Sequence, residues 1–226
     1  MKASKRWASA LGLLAMAGIT QAAPMTLVDG GLGVLDSATG LEWTANMNIR
    51  GASSWATSAY LWIDSLNTSH YAGHNDWRLP TLNPLDTSCS DSFSPGGGFP
   101  DFHYGYNCTG GELSHLFVSN LGNKAHESVL NETGDTAEQI ANLALFSNVQ
   151  SYDYWSGTLY APDPTFVWVF SASDGRQHLV NKGGIPLYAV AVRTSDGAVS
   201  LPEPQTLALV LLALTATLVA GRQRPR

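Results

Sequence analysis

Charged side chains are scarce in this chain, and cysteine is scarcer still. Of 226 residues only 13% are Asp, Glu, Lys or Arg, and cysteine occurs twice. Two cysteines cannot staple a disulfide-dense scaffold or supply a four-cysteine zinc site. Twelve Lys and Arg against 18 Asp and Glu leave a formal charge of −6. That balance argues against nucleic acid as a partner, because such binding rests on clustered basic residues. Missing too are a Gly-x-Ser-x-Gly elbow, a His-Glu-x-x-His string and an Asp-x-Asp-x-Asp-Gly loop. No nucleophile or metal motif therefore points to an enzyme, and a noncatalytic protein is the expectation. Aromatics are plentiful: seven Trp, eight Tyr and seven Phe. A disordered chain carries few of them, and the length is ample for a core in one or two domains.

The charge is unevenly placed. Residues 1–22 open with Lys2, Lys5 and Arg6, run apolar from Leu11 to Ile19, and end in small residues with Thr20 and Ala22 before Ala23. This is the pattern of a secretory signal peptide. At the other end Pro202-Glu203-Pro204 precedes an apolar run, read as a membrane-spanning helix over 206–221, and then Arg222, Arg224 and Arg226. Three terminal arginines place that end on the cytoplasmic side. Half of the basic residues thus sit in the two ends; residues 23–200 keep six basic and 17 acidic side chains, for −11.

The tripeptide, the short span and the basic tail resemble the PEP-CTERM sorting signal of Gram-negative bacteria. The resemblance implies an exosortase in the inner membrane as a partner, transient anchoring by the C-terminal helix, and release to the cell surface or exopolysaccharide matrix.

Residues 23–200 fit one domain. Its residues 34–36 and 41–43 flank the spacer Ser37-Ala-Thr-Gly40, which predicts a hairpin. Trp55, Ala59, Trp62, Ile63 and Leu66 recur at helical spacing over 53–66, with Ser53 or Ser54 as cap. Leu113, Leu116, Phe117 and Leu121 repeat that spacing over 112–121, and Gly122 stands at the C-terminal cap position. Asp135 and Glu138 read as the start of a third helix ahead of Ile140 and Leu143. The last third is strand-like: Phe166, Trp168 and Phe170 alternate with Val167 and Val169, Ser173-Asp-Gly175 offers a turn, and residues 188–193 close the domain. Helices early and strands at the ends indicate an α+β fold. The least globular stretch is 88–109, with three consecutive glycines, two prolines and five aromatics between Cys89 and Cys108. In an exported protein the two cysteines read as a disulfide closing this loop; two free thiols are the alternative.

Four strings occur in order: Asp36-Ser-Ala-Thr-Gly-Leu-Glu-Trp43, Asp76-Trp-Arg-Leu-Pro-Thr81, Tyr154-Trp-Ser-Gly-Thr158 and Ala191-Val-Arg193. Over residues 34–193 they resemble the family of the C-terminal domain of the Legionella collagen-like protein. The resemblance implies a single C-type-lectin-like domain on the cell surface with a role in adhesion to glycans. One departure stands out. The Glu-Leu pair that often follows Trp-Arg-Leu-Pro-Thr after two residues is replaced by Pro84-Leu85.

Arg78 has two readings, a carboxylate partner inside the fold or a contact to a sugar ring or carboxylate. Arg193 has the same two. Phe99, Phe102, Tyr104 and Tyr106, interleaved with Gly and Asp in the cysteine loop, suit stacking on sugar faces and are the candidate glycan-binding residues together with Arg78. No cofactor is expected. Calcium stays open, since lectin-like folds often use it and the domain is carboxylate-rich. A domain at −11 repels polyanions, so neutral glycans, or anionic ones bridged by calcium, suit it better. The competing readings are a structural envelope or matrix component that recognises other proteins, and a secreted enzyme without a recognisable motif.

Overall fold

The computed structural model describes residues 25–196. The signal-like segment, Pro202, Glu203 and Pro204, and the span over 206–221 lie outside the described residues. Among the described residues no helix is long and apolar enough to cross a membrane.

Among the described residues nine short strands form two antiparallel sheets, with a few short helices, in keeping with α+β. The first sheet holds β1 (Thr26–Val28), β2 (Gly33–Asp36), β3 (Leu41–Thr44) and β9 (Val192–Thr194), in that order. The predicted hairpin is β2–β3, with Val34 opposite Trp43 and Asp36 opposite Leu41. Its turn is closed by Asp36, whose Oδ1 accepts the Ala38 and Thr39 N–H groups; this is the local mimicry by which Asp favours turns. The second sheet runs β4 (Asp91–Phe93), β5 (Phe102–Tyr106), β8 (Arg176–Asn181), β7 (Phe166–Ser171) and β6 (Asp153–Leu159).

Strand β7 explains the continuous apolar run. Val167 and Val169 belong to one core with Trp55, Trp62, Ile63 and Leu66, while Trp168 and Phe170 belong to another with Leu113, Leu116 and Phe117. A sheet covered on both faces needs apolar residues at both parities. Residues 187–192 repeat the trick: Leu187, Ala189 and Ala191 enter the first core, and Val190 and Val192 the second. They also join the sheets, since Tyr188 bridges Tyr154 while Val192 pairs with Trp43 and with Arg78.

The first helical period becomes a wide turn, Trp55–Ala59, leading into α1 (Tyr60–Ser69). Ala59 N–H bonds back five residues to the Ser54 carbonyl, the signature of a π-type turn. Trp62, Ile63 and Leu66 are buried as the spacing requires; each contributes roughly 1.5–3 kcal/mol by burial. The second period is α2 (Glu112–Ser114) followed by a second wide turn, His115–Asn120, with Leu113, Leu116, Phe117 and Leu121 all fully buried and Gly122 at φ 76°. That positive φ suits glycine at a helix end.

Two expectations need correction. Helix α3 (Ala137–Leu143) starts one residue later than read: Thr136 caps it, its side chain accepting the Gln139 N–H while Gln139 returns a bond to the Thr136 N–H. Asp135 is instead buried against Lys124. The stretch between the cysteines is also no irregular loop. It folds as the β4–β5 hairpin and extends the second sheet, with Gly105 opposite Gln177 and Tyr106 opposite Arg176. Cys89 and Cys108 form a disulfide at its base.

Candidate functional site

Trp77 and Leu79 both enter the first core, two residues apart and therefore on one side of an extended segment. Asn67 anchors that segment from α1, accepting the Trp77 N–H at 2.8 Å and donating to the Trp77 carbonyl at 2.9 Å. Arg78 then points to Glu112 and makes a two-pronged ion pair, Nη1 to Oε2 at 2.7 Å and Nη2 to Oε1 at 2.6 Å. Of its two readings the structure holds the internal one.

Glu112 also accepts the Thr81 N–H at 2.8 Å, and Leu113 N–H donates to the Thr81 carbonyl at 3.1 Å. A Glu-Leu pair is absent at residues 84–85, but one stands beside Thr81 in space, as Glu112-Leu113. Residues 83–110 are an excursion between the two halves of this motif. Burial works to raise the Glu112 pKa, but the bonds from Arg78 and Thr81 and the Arg78 charge outweigh it and hold the carboxyl below its ordinary value.

The neck of the excursion is tightly tied. A Cβ at Gly111 would press on Leu82 and Asn83 backbone atoms, so the strands of the neck meet where only glycine fits. Asp86 accepts the Thr109 N–H at 2.8 Å, the Gly110 N–H at 2.6 Å and the Ser88 hydroxyl at 2.6 Å. Burial raises the Asp86 pKa, and these donors together bring it below its usual range. The Cys89–Cys108 disulfide closes the same neck.

Where the excursion docks on β7 and β8 lies a cavity of about 260 Å³, lined by Phe93, Tyr104, Trp168, Arg176, His178 and Leu179. Phe93 stands edge-on to Tyr104 with ring centroids 5.7 Å apart. Trp168 is buried, and its Nε1–H has no acceptor. Arg176 is exposed, 3.7 Å from Asp174, and His178 lies 3.3 Å from Asp153. Aromatic walls with cationic and hydrogen-bonding groups at the edge describe a small-molecule pocket of modest size.

The predicted loop aromatics separate sharply. Tyr104 lines this cavity. Phe102 is 4% exposed and packs on Phe93, Tyr160 and Trp168, so it offers no free face. Phe99 is 40% exposed and touches Phe102 from outside. Tyr106 packs on His126 with centroids 4.1 Å apart and does not line the cavity. Arg78 is on another part of the fold, and the structure does not bring it to these aromatics. Phe93, Arg176 and His178 were missed from sequence. The signal available was the adjacency of Arg176 and His178 to the turn at residues 173–175, but only pairing of β5 with β8 shows that they face the hairpin.

Comparison with known families places residues 33–193 on a model described as the Lcl C-terminal domain. No curated protein matches the chain, and no solved structure matches it.

Proposed function

The chain belongs to the Lcl C-terminal domain family, and from that premise we propose that it is an exported, noncatalytic surface or matrix protein that binds neutral glycans in the cavity between the disulfide-closed hairpin and strands β7 and β8. The observation that carries this reading is the cavity itself: Phe93 and Tyr104 supply apolar ring surface over the buried Trp168, and Arg176 and His178 supply donors beside it. Sugars have apolar faces that stack on rings and hydroxyl rims that take charged donors. The α+β architecture with antiparallel sheets is compatible with a C-type-lectin-like domain. The charge of −11 over residues 23–200 favours neutral over polyanionic ligands.

Export rests on the ends of the chain. The basic, apolar and small-residue order of residues 1–22 supports secretion through the general pathway, and the Pro202-Glu203-Pro204 tail supports processing by an exosortase. The disulfide suits an oxidising compartment.

A glycan array probed with the full chain tests the binding reading. Wild type is expected to retain neutral glycans, and Arg176→Ala and Tyr104→Ala to lose at least about tenfold in signal, the ratio set by roughly 1.4 kcal/mol of lost contact. Because Arg176 is exposed, its variant should remain folded. No glycan bound by wild type, or equal binding by Arg176→Ala, would reject the site.

A further inference from the structure

At the far end of the first sheet, Arg193 is almost fully buried and holds three carboxylates: Nε to Asp76 at 2.7 Å, Nη1 to Glu42 at 2.8 Å and Nη2 to Asp196 at 2.6 Å. A fourth carboxylate, Asp29, faces Glu42, so one guanidinium stands among four acids. Glu42 is 3% exposed. Its Oε2 is satisfied by Arg193, whereas Oε1 is buried and receives no donor. A buried carboxylate facing a second, partly exposed one costs free energy unless something positive lies between them.

His74 completes the cluster. Its Nε2 is 3.1 Å from Asp29 Oδ2, and its Nδ1 is 3.5 Å from Asp196 Oδ2. One ligand atom each from Asp29, Glu42 and His74 lies within 4.8 Å of the others. Gly33 is part of the construction, since a Cβ there would collide with Glu42 Oε1. The cluster borders a cavity of about 200 Å³ that shares no lining residue with the hairpin pocket.

We propose that Asp29, Glu42 and His74 form a binding site for one divalent cation of the zinc class, with the orphaned Glu42 oxygen as its buried ligand. Three protein ligands of mixed nitrogen and oxygen leave a fourth position open to the cavity, the arrangement zinc accepts. A tetrahedral ion with arms of about 2.1 Å spaces its ligands by about 3.4 Å, so small side-chain rotations close the triad. Calcium is the poorer fit, because it takes six to eight oxygens and no imidazole. Asp196 is placed to accept a bond from the His74 ring nitrogen that does not bind the ion, as the outer carboxylate of a histidine ligand does. Arg193 fixes Glu42 and Asp196 together and so orients one direct ligand and one supporting group. The cation offsets the excess of carboxylates that Arg193 alone leaves.

The test is calorimetric titration of the untagged full chain with zinc chloride, and separately with calcium chloride. One zinc per chain is expected, with calcium weaker by at least tenfold. Asp29→Asn and His74→Gln are each expected to weaken zinc by at least about tenfold, and Asp196→Asn by about tenfold through the outer contact. Asp29 sits at φ 52° and is partly exposed, and Asn accepts that backbone conformation, so this variant keeps the fold; circular dichroism checks it. No saturable zinc binding, preference for calcium, or wild-type affinity in either Asp29→Asn or His74→Gln overturns the proposal.

Discussion

Leu113 donates its backbone N–H to the carbonyl of Thr81 at 3.1 Å, with the excursion of residues 83–110 looping out between them. This one bond sets Leu113 beside Thr81 although 31 residues separate them in the sequence. The excursion it brackets carries the disulfide, the β4–β5 hairpin and two of the rings that line the cavity, Phe93 and Tyr104.

The disulfide should stabilise the domain by shrinking the unfolded ensemble. Its 19-residue separation corresponds to about 3 kcal/mol in the chain-entropy view. For a domain of this size that lowers the melting midpoint of the Cys89→Ser, Cys108→Ser double variant by roughly 6–12 °C. Scanning calorimetry checks it; an unchanged midpoint would show that the Asp86 bonds alone hold the neck.

Phe102 and Phe99 are neighbours in the same hairpin with opposite fates. Phe102→Ala opens the second core and should cost about 3–5 kcal/mol. Phe99→Ala, at an exposed ring, should stay within about 0.5 kcal/mol. Urea denaturation of the two variants measures both, and equal losses would contradict the packing described above.

Arg193 is expected to be among the costliest single positions. Arg193→Ala leaves the buried Glu42 carboxylate uncompensated, a loss of about 3–5 kcal/mol. Burial first, then the Asp29 carboxylate, already push the Glu42 pKa up to about 7 against the pull of Arg193. Adding Glu42→Gln to Arg193→Ala should therefore recover part of the loss. A double-mutant cycle in urea reads the coupling; strict additivity of the two losses would count against it.

The Arg78–Glu112 pair makes stability fall in acid. The Glu112 pKa is lower in the folded chain than its ordinary 4.5, so the unfolded state takes up the proton first as pH drops. The contribution is present above about pH 4.5 and is lost as pH falls below it through the folded value. Side chains 41% and 21% exposed keep it to about 1 kcal/mol or less. Urea midpoints measured from pH 6 downward should fall more steeply for wild type than for Glu112→Gln, and parallel profiles would exclude the pair as the cause.

Much of the local structure was legible in the residues. The turn chemistry of Asp36 to Gly40, the spacing of Trp55, Trp62 and Leu66, the spacing of Leu113, Leu116 and Phe117, and the alternation through β7 each depend on neighbours a few positions apart. Periods of two and 3.6 are local geometry and survive in a single sequence. The two cysteines likewise announced their pairing, because a chain with only two has a single intramolecular connectivity.

Tertiary structure alone decided the rest. Sequence spacing places Glu112 far from Arg78, yet the excursion folds out and the pair meets at 2.6 Å. Phe102 and Tyr104 look alike in a string of aromatics; packing on Tyr160 and Trp168 sends one into the core, and the other is left on a cavity wall. Asp29, Glu42, His74 and Arg193 come from four separate segments, and no metal-ligand spacing links them in the sequence. They converge because the turn after β1, strands β3 and β9, and the segment after α1 are brought to one end of a sheet. Long-range contacts of this kind arise from burial of the whole chain against itself, a free-energy minimum no short window of residues contains.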